Sequence, residues 1–133
     1  MKNNEIKVIR QYIKDLSFEN PLAPNMSTQD ENPYVNLDIN AIYKDLKNDH
    51  HEINLKIKSI ASFKKVTLFI IELQYAGLFI TKLKDEQEKK NLIISGSYLL
   101  FPFARSIINN ITVEGGFRSF MIQPIKFENI FRK

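Results

Sequence analysis

A chain of 133 residues that is 44% hydrophobic carries enough apolar material for one core, which sets the expectation of a single domain over 1–133. Nineteen basic and fifteen acidic residues leave a formal charge of +4 without a run of like charges, and no cysteine occurs. These counts exclude a disulfide framework, a thiolate metal site and a cysteine nucleophile, and they give no clear footprint of a nucleic-acid binder. The first residues lack the apolar core of a secretory signal, and no window approaches the roughly 18 apolar residues of a membrane span, so a cytoplasmic location is expected.

Ile6 to Phe18 reads as a first strand that ends at Asn20-Pro21. In "YIKDLSFENPLAP", residues 12–24, alternation sets Asp15, Ser17 and Glu19 on one face and Leu16 and Phe18 on the other. Asp15 and Glu19 would stand about 13 Å apart, four residues at about 3.3 Å each. A glycosidase acid–base pair needs about 5–9.5 Å, so the spacing suits recognition of a basic partner instead. Pro21, Pro24 and Pro33 then mark a loop of about a dozen residues.

Tyr34 to Tyr43 alternates Val35, Leu37 and Ile39 against Asn36, Asp38 and Asn40, and Lys44 to His51 is expected as a solvated hairpin-like connection. Ile53, Leu55 and Ile57 against Asn54, Lys56 and Lys58 give a third, half-exposed strand. The fourth, Val66 to Phe79, is the most apolar. It carries Phe69, Ile71, Leu73 and Tyr75 on one face and Leu68, Ile70, Glu72 and Gln74 on the other, with a bulge expected at Ala76-Gly77.

Lys84 to Lys90 suggests a short helix of its own. Leu100, Phe103, Ala104, Ile107, Ile108 and Ile111 then fall on one helical stripe, predicted to begin near Leu99 or Leu100 with Pro102 in its first turn and to end at Gly115-Gly116. A short amphipathic piece, Lys126 to Phe131, closes the chain. Four strands followed by helices predict an α+β fold: a four-stranded antiparallel sheet with two C-terminal helices packed on one face.

Catalytic patterns are sparse. Asp49-His50-His51-Glu52 holds the only two histidines, but adjacent residues diverge and no second cluster completes a metal site, so the string reads as a solvated turn. Lys64-Lys65 and Lys89-Lys90 read as solvated pairs. Phe101, Phe103, Phe117, Phe120, Phe127 and Phe131 read as core rather than as a ligand platform. Neither a cofactor nor a metal is expected, and the chain is not expected to be an enzyme.

Residues 12–24, together with "LFIIELQYAGLF" (68–79), "LLFPFARSIINNITVEGGF" (99–117) and "IQPIKFENIF" (122–131), resemble the SecB protein-export chaperone family in order over nearly the whole chain. The resemblance implies a cytoplasmic homotetramer, a dimer of dimers, that binds unfolded preproteins without ATP and delivers them to the SecA motor, meeting the membrane only through the translocon. It also assigns SecA docking to Asp15, Glu19, Ile70 and Glu72, and implies that the motor meets them with a small zinc-bearing basic tail. Val35, Leu37, Ile39, Phe69 and Ile71 are candidates for contact with client peptides, and Ile107, Ile108 and Ile111 for helix contacts in the core or between subunits. Two departures stand out: the family is usually acidic with a polar C-terminal tail, whereas this chain is +4 and stops at Phe131-Arg132-Lys133. Motor delivery is therefore expected to be weaker. An antitoxin-type client is the alternative to export, and a small basic nucleic-acid binder the alternative to a chaperone.

Overall fold

The computed structural model describes residues 6–25, 32–120 and 122–130. Four strands, β1 (Lys7–Glu19), β2 (Tyr34–Lys47), β3 (His50–Phe63) and β4 (Val66–Ile80), form one antiparallel sheet in the order β1-β4-β3-β2. Helix α1 (Glu86–Glu114) follows and lies on one face of the sheet, and α2 (Phe127–Ile130) packs on α1. This is the predicted α+β architecture. Phe131, expected to end the last helix, lies outside the described residues.

The alternation read from β2, β3 and β4 holds along most of each strand, with Leu68 and the buried Asn54 as exceptions, because each strand buries the face under α1. Ile53, Leu55, Ile57, Ile71, Leu73 and Phe79 are at most 2% exposed under α1, whereas Lys56, Lys58 and Glu72 face outward. The hairpins are tighter than expected. β2 and β3 run on to a turn at Asn48-Asp49 with φ of 55° and 61°, and β3 meets β4 through Lys64-Lys65 with φ of 52° and 67°. Positive φ at both central residues is the two-residue turn whose twist matches the flanking strands. Of the string expected as a solvated turn, Asp49 does lie in the turn, but His50 to Glu52 are strand, and His51 and Glu52 are 5% and 8% exposed. His51 is held between the Tyr43 hydroxyl at Nδ1 (2.8 Å) and the Thr81 carbonyl at Nε2 (2.9 Å).

No bulge occurs at Ala76-Gly77, whose pairing with both neighbours is continuous. The bulges lie at Ile9 and Lys14 on β1, at Leu46 on β2 and at Leu68 on β4, each the residue skipped in the register. Two residues opposing one re-aim the side chains that follow. The bulges on β1 therefore put Tyr12 on the outer face, opposite Ala76, although alternation grouped it with Val8 and Leu16.

The largest departure is α1, a single helix of 29 residues where a short helix and a second one starting near Leu99 were expected. Asp85 caps it, accepting from the Glu88 backbone N–H at 2.9 Å, and the Glu88 carboxylate accepts from the Lys84 N–H at 2.8 Å. Lys84 to Lys90 is therefore the approach to and first turn of α1, and Pro102 lies exposed in its interior rather than in its first turn. Ser95-Gly96-Ser97 obscured the continuity. Gly96 marks the helix's closest approach to the sheet: a Cβ there would come within 2.6 Å of Ile53 Cδ1. The buried stripe is Leu92, Gly96, Leu100, Ala104, Ile108 and Thr112, a spacing of four, and Phe103 is turned outward. By length and composition α1 could also cross a membrane, a test that the core helix of a folded domain passes as well; 39% of its most apolar window is buried.

On the outer face a carboxylate is locked into the sheet. Glu52 accepts from the Tyr12 hydroxyl at 2.6 Å and from Lys14 at 3.1 Å, so β1 is tied to β3 across the small Ala76 of β4. Burial by itself would raise the Glu52 pKa, but the donors Tyr12 and Lys14 and the nearby Lys44 hold it below the ordinary value. Burial, together with the bond to Glu52, pushes Tyr12 up to about 12.

Two predictions follow from these geometries. Lysines in left-handed backbone are strained, so Lys64→Asn with Lys65→Gly should stabilise the fold by about 1–2 kcal/mol, read as a higher denaturant midpoint at unchanged m-value. Tyr12→Phe should cost about 1–2 kcal/mol near neutrality, as expected for a bond to a charged acceptor. The depressed Glu52 contributes stability above the ordinary glutamate pKa of about 4.3 and loses it as pH falls through its lower folded value. The raised Tyr12 contributes below about 10 and loses it as pH rises towards about 12. The gap in thermal midpoint between wild type and variant should thus be widest between these limits and close at both ends.

Candidate functional site

Two surfaces on opposite faces of the sheet carry the candidate residues. On the helix side, the C-terminal end of α1 and the first residues of β2 and β4 enclose a groove of ≈ 460 Å³. Its shape follows from how α1 stops. Gly116 at φ 95° lets the chain reverse, with the Phe117 N–H bonded to the Thr112 carbonyl and the Gly116 N–H to that of Val113, the paired bonds that close a helix through a left-handed residue. Phe117 is thereby laid against Phe69 with ring centroids 4.9 Å apart, and Phe69 rests on Phe18 at 5.9 Å. Asn109 then pins the segment that follows, accepting from the Phe120 N–H at 2.9 Å and the Ser119 hydroxyl at 3.0 Å.

Of the expected client residues, Val35 and Phe69 line this groove. Leu37 and Ile39 are half-buried against the core, and Ile71, fully buried, belongs to the core itself. Leu68, placed with the wet face by alternation, is 3% exposed and lines the groove, because the bulge at this residue turns it inward beside Phe69. Phe117 and Phe120 line it too, whereas Phe101 and Phe127 are core. Gly115-Gly116 followed by Phe117 and Phe120 was the available signal, since a chain reversal at a helix end sends the next aromatics back along the helix.

On the outer face, pairing of β1 with β4 collects the acidic residues. Asp15 stands opposite Gln74, Ser17 opposite Glu72 and Glu19 opposite Ile70, so Asp15, Glu19, Glu72 and Ile70 share one patch. Directly opposed side chains on one face stand about 4.5–5.5 Å apart at Cβ. Asp15, Glu19 and Glu72 are exposed, and Ile70 is half-buried between them. The patch is not purely acidic: Lys58 on β3 meets Glu72 at 3.4 Å, and Lys56 stands opposite Gln74.

Of the three expected interface residues, Ile108 is fully buried on the sheet-facing side of α1, while Ile107 and Ile111 are half-buried against the core. Exposed apolar residues elsewhere include Phe103 and Val113 on α1, Ile9 and Ile13 on β1, Tyr34 and Ile42 on β2 and Val66 on β4. Among the described residues, no group of three or more His, Asp or Glu side chains is placed to hold a metal ion.

The whole chain, residues 1–133, matches the family model described as "Preprotein translocase subunit SecB". Relatives named "Protein-export protein SecB" include those of Parvibaculum lavamentivorans, 37% identical over 97% of this chain and 78% of the relative, and Rhodopseudomonas palustris strain BisA53, 39% identical over 97% and 81%. That of Rickettsia typhi is 40% identical over 96% of this chain and 86% of its own. A SecB-like chaperone of Mycobacterium tuberculosis, solved in complex with a ChAD peptide from the HigA1 antitoxin, shares the fold at a TM-score of 0.76 and 12% identity, covering 90% of each chain. With matches of this extent along the full sequence, the chain belongs to the SecB family of protein-export chaperones.

Proposed function

We propose that this chain is a cytoplasmic holdase that captures unfolded preproteins without ATP, works as a homotetramer of single-domain subunits, and hands its clients to the SecA motor through Asp15, Glu19, Ile70 and Glu72. The observation that carries the capture step is the groove floored by Phe69 and walled by Leu68, Phe117 and Phe120. Apolar side chains of this kind favour extended segments that are exposed only before folding and discriminate weakly among them. An apolar groove needs no nucleotide to bind them.

The docking step is supported by the register that gathers the three carboxylates and Ile70 into one patch. Assembly is supported by the exposed Phe103, Val113, Ile9 and Ile13, since apolar side chains left in water gain from being covered by another subunit. Export is favoured over an antitoxin client because the relatives at 37–40% identity carry the export name, whereas the antitoxin peptide belongs to a chaperone at 12% identity.

Replacing Phe120 by Ser should weaken client capture about tenfold, the equivalent of losing the burial of one aromatic side chain, with a cooperative melt retained. The readout is the concentration of chaperone that halves aggregation of a chemically unfolded client, with and without ATP. Equal protection by both proteins would remove the groove from the capture step, and an ATP requirement would overturn the holdase reading. Light scattering at micromolar concentration should give four times the subunit mass of 15.6 kDa, reduced by Phe103→Glu. A monodisperse species at the subunit mass in the wild type would overturn the assembly.

A further inference from the structure

The outer face of the sheet can be followed strand by strand through its register. One row across it runs Asp15, Gln74, Lys56, Asn40 from β1 to β2. The next runs Ser17, Glu72, Lys58, Asp38, and the third Glu19, Ile70, Ile60, Asn36. The β1–β4 side of the face is therefore acidic, β3 contributes a column of two lysines, and β2 returns a carboxylate. A cation that seats on Glu72 arrives where the Lys58 ammonium already sits, 3.4 Å from the Glu72 carboxylate.

We infer that Lys58 is a specificity-determining residue of the docking patch: its ammonium competes with a cationic partner for Glu72 and sets how basic that partner must be. The inference rests on the docking reading given above and adds to it a group that opposes the partner. Both members of the pair are about half exposed, 48% for Lys58 and 52% for Glu72, so the pair is held by cross-strand position rather than by burial. Such a pair is weak and screened by salt, and it tunes binding without blocking it. A single positive charge on a partner gains little by replacing Lys58, because one ion pair is exchanged for another. A partner with several positive charges gains at Asp15 and Glu19 as well, and the displaced ammonium finds Asp38 on its other side, directly opposite on β2. Lys58 thus filters against weakly basic partners, which is how a repulsive element confers specificity.

The test is calorimetric titration of the full chain with the zinc-loaded basic tail of a SecA motor, at low and at moderate salt. Wild type, Lys58→Gln, Glu72→Gln, their double variant, and the triple variant Asp15→Asn, Glu19→Gln, Glu72→Gln are compared. All positions are exposed, so thermal midpoints should agree. Lys58→Gln should bind about two- to fivefold more tightly than wild type at low salt, the range set by an exposed pair. The gain should shrink as salt rises and vanish when Glu72→Gln is added. If the triple variant weakens binding but Lys58→Gln leaves it unchanged or weaker, docking stands and the competition is refuted. If the tail binds the triple variant as it binds wild type, or binds none of the proteins, the docking reading falls and the inference with it.

Discussion

Pairing of β1 with β4 is the constraint on which the rest depends. It closes the sheet in the order β1-β4-β3-β2 and makes the most apolar strand an interior one, buried between two neighbours. It also puts the first and second strands on opposite edges, about 14 Å apart at the usual spacing of neighbouring strands. The residues that leave β1 run beside the C-terminus of α1, where Asn20 donates to the Gly115 carbonyl at 3.0 Å and Phe18 lies so close beneath Gly115 that a Cβ there would meet its ring at 2.3 Å. The groove forms at this end of the sheet.

The same pairing separates the two faces by chemistry. Toward α1 the strands present Ile, Leu and Phe, and removing them from water is the main driving force for the layer contact. Away from α1 they present Lys, Asp and Glu, with the deeply placed carboxylate of Glu52 satisfied by Tyr12 and Lys14. A buried carboxylate without those donors would be costly, so Tyr12 and Lys14 work as a register lock for the edge strand. One face therefore carries the packing and the apolar groove, the other the charged side chains.

The strained points are concentrated at the sheet ends. Lys47, Asn48, Asp49, Lys64 and Lys65 all take positive φ, and the glycine used in the same way, Gly116, ends α1. The two-residue turns tolerate this because their twist suits the strands on either side. At Gly116 the same freedom is used to reverse the chain and deliver Phe117 to the groove wall.

Alternation and composition by themselves determined the four strands, most of the apolar face of each, and the α+β class, because a half-buried strand must repeat with period two. They also placed Asp15 and Glu19 on one face, and the blocks of resemblance pointed to the SecB family before any geometry was known. Alternation failed where local register broke: Tyr12 and Leu68 changed sides at bulges, which depend on hydrogen bonding to a partner strand rather than on the residues themselves. The length of α1 was hidden because Gly96 and Pro102 are helix-breaking types, and only the closeness of Ile53 explains why glycine sits where the helix continues. That Glu72 joins Asp15 and Glu19, that Lys58 reaches Glu72, and that Phe117 meets Phe69 were decided by tertiary structure alone. Each brings together residues distant in sequence, and no local periodicity encodes which strand will lie beside which.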